Sequence, residues 1–172
     1  MFFNTIYLFF IKKNVLKRLT NVSSNGSGSS IKKVAVILDE KLSGFKNEIK
    51  ETLVRQNIID RQITFITYKS KLNKGEIPQF DEITPKDINS SGVFHTGRMN
   101  WYLETKFDLL INFYDEANPI MMMFTQLTKA DFKVGFATTD KRLNHLVINT
   151  KSKDVSVFMD ELIKYLQILK KI

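Results

Sequence analysis

The residues of this sequence that carry the most chemistry are carboxylates at the ends of apolar runs. Val34–Leu38 is followed by Asp39 and Glu40, and the run beginning at Phe107 ends in Asp115 and Glu116, while Thr138 and Thr139 follow FKVGFA. If those runs are parallel strands, all six residues emerge at strand carboxyl ends, where open α/β sheets place their sites. Carboxylates gathered there could hold a hard divalent cation or work as an acid–base pair, with Lys151 as a basic member. The plainer reading is that strand-end acids cap helices or stay solvated.

Other chemistries find less support. Gly92-Val-Phe-His-Thr-Gly97-Arg98-Met99 has the glycine spacing of a phosphate-binding loop, but Arg98 stands where a lysine should reach the phosphates and Met99 where a hydroxyl should ligate magnesium. The turn after the first apolar run, Asp39 to Gly44, has no G-x-G-x-x-G, and acids at that helix start repel a pyrophosphate. No G-x-S-x-G elbow occurs, and His95 and His145 lie in unrelated contexts. With no cysteine there is no disulfide, thiolate nucleophile or Cys-based metal site. No cofactor is implied, the balance leans away from an enzyme, and a cytoplasmic location is expected.

The elements that must position the carboxylates read as a β-α-β series. Val34–Leu38 has the continuous apolar character of a strand buried on both faces. Ser43 is placed to cap a helix with Phe45, Ile49 and Leu53 on one face, and Ile63–Tyr68 follows as a β-branched and aromatic strand. Residues 69–106 are broken by Gly and Pro and predict loops, with a short strand near Val93 and a short helix around Trp101. Residues 107–116 predict a buried strand, and Asn118-Pro119 opens a helix running to Ala130 whose Met121, Met122 and Met123 read as core. Strands at 132–137 and 146–150 precede a last helix capped by Asp154, with Phe158, Leu162 and Leu166 at helical spacing. The expected fold is α/β: a single Rossmann-like, mostly parallel sheet with flanking helices, plus an N-terminal helical arm.

Charge is unevenly spread. Residues 1–33 hold six cations and no acid, so of a net charge of +8 only +2 belongs to residues 34–172. The reading therefore divides the chain into a basic, aromatic arm (1–22), a Ser/Gly linker (23–30) that tethers it loosely, and the α/β domain (31–172). The opening MFFNTIYLFFI is shorter than the roughly 20 apolar residues of a membrane span, and its charges follow rather than precede the apolar stretch, unlike a signal peptide. A basic helix lying on a membrane, with Lys12, Lys13, Lys17 and Arg18 toward anionic lipid, is one reading. A helix packed on the domain, or an upstream start codon, is the other.

FDLLINFYDE, LTKADFKVGFATTDKRLNHLVI and VFMDELIKYLQILKKI resemble an uncharacterised family of small proteins from flavobacteria and other Bacteroidota, a domain of unknown function. A weaker likeness, in the FDLLINF strand and the Ala130 to Phe136 strand, is to the N-terminal half of heptosyltransferase-like glycosyltransferases, whose donor-binding second domain this chain lacks. The acidic layout also resembles the pocket of response-regulator receiver domains, although the irregular middle segment departs from their regular alternation. The leading expectation is a non-catalytic binding or adaptor module with an unidentified protein partner. The alternatives are an enzyme or divalent-metal domain acting through the strand-end acids, and a peripheral inner-membrane or ribosome/RNA-associated protein. No sequence-specific DNA binding is expected, because no basic recognition helix or zinc finger is present.

Overall fold

The computed structural model describes residues 2–19 and 30–172, with side chains from Ile6 onward. The Ser/Gly stretch 23–30 lies, apart from Ser30, outside the described residues, as do residues 20–22 of the arm. Within them the chain forms β1 (Val34–Asp39), β2 (Ile63–Tyr68), β3 (Glu82–Ile83), β4 (Lys106–Phe113), β5 (Lys129–Phe136) and β6 (Leu146–Ile148). These make one sheet in the order β3-β2-β1-β4-β5-β6 with every pairing parallel. That is the doubly wound, Rossmann-like order, in which the chain leaves β1 and β4 in opposite directions across the sheet.

Side-chain alternation along the strands divides the core into two layers. Ala35 and Ile37 of β1 and Leu110 of β4 join one cluster, under α3 (Gly97–Glu104) and α4 (Pro119–Leu127). Val34, Val36 and Leu38, with Leu109, Ile111 and Phe113, join the other, under α2 (Lys46–Arg55) and α5 (Val155–Ile168). In the second layer Phe113, Phe136 and Phe158 pack ring against ring, with centroids 4.5–5.3 Å apart. Met121, Met122 and Met123 are buried in the first layer, as core residues.

The N-terminal helix α1 (Phe2–Arg18) is built into the first layer rather than hanging free. Ile11 and Val15 are fully buried and Leu19 nearly so, packed within the cluster that holds α4. The Tyr7 hydroxyl donates to the carbonyls of Pro85 and Ile88. The expectation of a loosely tethered arm is thus corrected for residues 6–19, because every fourth residue supplies an apolar side chain to the core.

Several local expectations also change. Asp39, not Ser43, caps the element after β1: its carboxylate accepts the Lys41 amide at 2.9 Å, and residues 40–45 tighten into a 3-10 turn before α2 begins at Lys46. Residues 69–106 contain the strand β3, which the broken composition hid, while the strand expected near Val93 is a single antiparallel bridge between Ile88 and Phe94. The helix around Trp101 is α3. α4 stops at Leu127, so Ala130 lies in β5. Asp154 occupies the N-cap of α5 but makes no side-chain cap bond.

Candidate functional site

The carboxyl ends of β1 and β4 are adjacent, because the two strands pair with Leu38 opposite Phe113. Above this junction lies a cavity of about 270 Å³. Asp39 enters it from β1, and Asp115 and Glu116 enter from the segment after β4, so the structure brings together three of the five acidic-pocket residues expected from the sequence. Glu40 and Thr138 are exposed and do not line it. Lys151 does not line it either; its neighbours Ser152 and Lys153 do, together with Lys41, Leu42 and Tyr114.

Each polar wall residue has a definite setting. Asp39 is held by the Lys41 amide, as described. Asp115 accepts a hydrogen bond of 2.5 Å from the Ser152 hydroxyl, which ties the loop after β6 to the loop after β4. Glu116 pairs with Lys41 at 3.4 Å, both side chains largely exposed, so the pair contributes little to stability and stays available to a ligand. Tyr114 forms the floor: its ring is buried, its hydroxyl bonds the Thr125 hydroxyl at 2.8 Å, and burial raises its ionisation above the usual phenol range. Thr125 in turn donates to Asn112 Oδ1, and Asn112 donates to Asn144 Oδ1, so a buried polar chain runs beneath the cavity.

The cavity is therefore of mixed sign. Two lysines are interleaved with three carboxylates, and among the described residues no group of three or more His, Cys, Asp or Glu side chains is arranged to hold a metal ion. The turn after β1 is also closed to a dinucleotide phosphate. Its 3-10 turn already directs the Lys41 amide onto Asp39, the acid that a phosphate would have to displace. A volume near 270 Å³ lies just below the range of about 300–1,000 Å³ usual for drug-sized ligands, so only a small molecule fits.

The remaining candidates resolve into structural roles. Arg98 of the phosphate-loop look-alike is committed to the buried Asp87 at 2.5 Å and to the carbonyls of Gln79 and Glu82. His95 is exposed, whereas His145 Nδ1 accepts the Lys133 amide at 2.8 Å and its ring stacks on Phe132. Lys12, Lys13, Lys17 and Arg18 lie exposed on α1 and take no part in the cavity. Sequence reasoning missed Lys41, Tyr114, Ser152 and Lys153. The available signal was topological: each follows or ends a strand on the carboxyl side, where the site had been placed. A second cavity, of about 350 Å³, lies between Ile31, the segment 56–62 and Ile172, and its lining among the described residues contains Lys32 and no Asp or Glu.

Comparison with known proteins agrees with one part of the resemblance drawn from the sequence, the likeness to a family of unknown function. Residues 8–169 match the model of a family of unknown function (DUF6913), and the chain belongs to that family. No curated protein and no solved structure matches it significantly.

Proposed function

We propose that the protein is a non-catalytic binding module whose cavity at the β1–β4 junction takes a small molecule carrying both a positive and a negative group, such as an amino acid or a phosphorylated amine. The observation that carries this reading is the lining: Asp39 and Asp115 offer acceptors to an ammonium, while Lys153 and Lys41 offer donors to a carboxylate or phosphate. The position supports it, since a cavity outside the carboxyl ends at the reversal of strand order is where doubly wound sheets bind ligands. The Ser152–Asp115 bond supports it as well, because it fixes one wall before any ligand arrives. A cytoplasmic location is supported by the cysteine-free composition, and the resemblance of the sequence to flavobacterial and other Bacteroidota proteins supports a bacterial origin.

Thermal denaturation against a panel of β-alanine, common amino acids and O-phosphoethanolamine, with acetate and ethylamine as singly charged controls, tests the proposal. A ligand at a hundredfold excess over its Kd stabilises the fold by about 2.7 kcal/mol, so a true zwitterion raises Tm and its controls do not. The rise is expected to disappear in Asp39→Asn and in Lys153→Met. A panel without effect, or an effect that survives both substitutions, overturns the reading. Magnesium and manganese titrations run beside it address the metal-dependent alternative, and heat abolished by Asp115→Asn would replace the proposal with that one.

A further inference from the structure

A helix that contributes to a core on one side is expected to be polar on the other, and α1 is not. Its buried residues Ile11, Val15 and Leu19 recur every four positions. The opposite face, at the spacing of residues 6, 9, 10, 13, 16 and 17, holds Ile6, Phe9, Phe10 and Leu16, with Lys13 and Lys17 among them. Those four apolar side chains are between 42% and 62% exposed, and Phe9 and Phe10 meet edge to face with each other. Lys12 and Arg18 flank them, and no acid occurs anywhere in residues 1–33.

We propose that this outer face of α1 docks peripherally on an anionic lipid bilayer, with the apolar side chains in the headgroup–acyl boundary and the four cations against lipid phosphates. Charge complementarity selects the occupant. A second copy of the chain would oppose four cations to four identical cations across a two-fold axis, which repels. A nucleic acid uses the cations but gives the aliphatic Ile6 and Leu16 no partner, whereas acyl chains take both kinds of residue at this interleaved spacing. No helix among the described residues is long and apolar enough to cross a membrane, which makes the attachment a surface one. Because Ile11, Val15 and Leu19 anchor α1 to the folded body, the helix presents this face without first having to fold at the interface.

Cosedimentation of the full chain with vesicles of phosphatidylglycerol in phosphatidylcholine, with pure phosphatidylcholine and with ribosomal RNA tests the proposal. The anionic vesicles are expected to pellet the protein and the neutral ones to leave it in solution, with binding that weakens as salt is added. Lys12→Gln, Lys13→Gln and Lys17→Gln together should cut partitioning on the order of a hundredfold. Phe9→Ser with Phe10→Ser should cut it severalfold without lowering Tm, since neither ring is buried in the core. Failure of the wild-type protein to pellet with anionic vesicles at low salt overturns the proposal. So does undiminished lipid binding by a folded Phe9→Ser, Phe10→Ser variant, or tighter retention on RNA than on lipid.

Discussion

Lys133 is an ammonium-bearing side chain on β5 that points into the core, 7% exposed, and among the described residues no carboxylate forms an ion pair with it. Its Nζ donates to the carbonyls of Thr125 at 2.7 Å and Gln126 at 3.4 Å, in the last turn of α4. Burial penalises the charged form and pulls its pKa from 10.5 down to about 8. Below pH 8 the native and unfolded chains both hold the proton, and the native state carries the cost of a desolvated ammonium. Between pH 8 and 10.5 the native state releases a proton that the unfolded chain still binds, so stability rises with pH across that window. At about 1.36 kcal/mol per pH unit, the full gain is on the order of 3 kcal/mol. The perturbation is Lys133→Met, which keeps the stem's packing and removes the charge. Urea denaturation at steps from pH 7 to pH 10.5 is the assay, read as the difference between the two proteins. Differencing matters because Tyr68 and Tyr102, both raised by burial, lose stability above pH 10 in both proteins equally. The variant is expected to exceed the wild type at pH 7 by about 1–3 kcal/mol, the range reflecting the helix-end bonds it gives up, and the difference should shrink with rising pH. A difference that stays constant from pH 7 to 10.5 refutes the reasoning.

Two further predictions concern stability. Ile11→Ala removes a fully buried side chain from α1 and should cost about 2–5 kcal/mol, whereas Phe9→Ala on the outer face should stay within about 0.5 kcal/mol; equal effects in urea denaturation would contradict the packing of α1. Arg98→Met leaves the buried Asp87 carboxylate, among the described residues, with Thr84 and Thr96 as its side-chain and amide donors. The loss should fall toward the lower end of about 3–5 kcal/mol, and Asp87→Asn in the same chain should recover part of it; no recovery would show that Arg98 acts through its carbonyl contacts instead.

The parts of this fold legible in the sequence are those where burial acts on many consecutive residues. β1 and β4 announce themselves as unbroken apolar runs because both faces of each are covered, and the Met-rich α4 reads as core for the same reason. β3 is illegible because only Glu82 and Ile83 pair, and Glu82 is an acid whose burial depends on Lys69 3.0 Å away, thirteen positions earlier in sequence. Gly135 in β5 looks like an interruption, yet a Cβ there would lie 2.7 Å from the Asn144 amide, so the glycine lets a distant side chain reach the sheet. The site divides along the same line. Its carboxylates follow long strands and are placed by topology, while Ser152 and Lys153 follow the three-residue β6. Nothing local to such a short strand says which residue of the next loop turns toward Asp115.

α1 shows how an ambiguous sequence signal becomes informative once the structure is known. Apolar side chains lie all round this helix, which blurs the one-sided pattern by which a packed surface helix is recognised. Apolar character on every side belongs to a helix that is buried on every side, and α1 is buried on one side only, at Ile11, Val15 and Leu19. Its outer residues Ile6, Phe9, Phe10 and Leu16 therefore carry a hydrophobic cost in water that the core does not relieve, at about 25 cal/mol per Å². Interleaved lysines keep that face soluble without covering it, which is the composition of a surface that exchanges between water and a second apolar phase. A helix packed solely for the stability of the domain would have carried Glu or Gln at 6, 9, 10 and 16 at no loss to the core. The absence of a clean amphipathic pattern in α1 is thus what the proposed docking of its outer face on lipid would require, with the core on one side and the bilayer on the other.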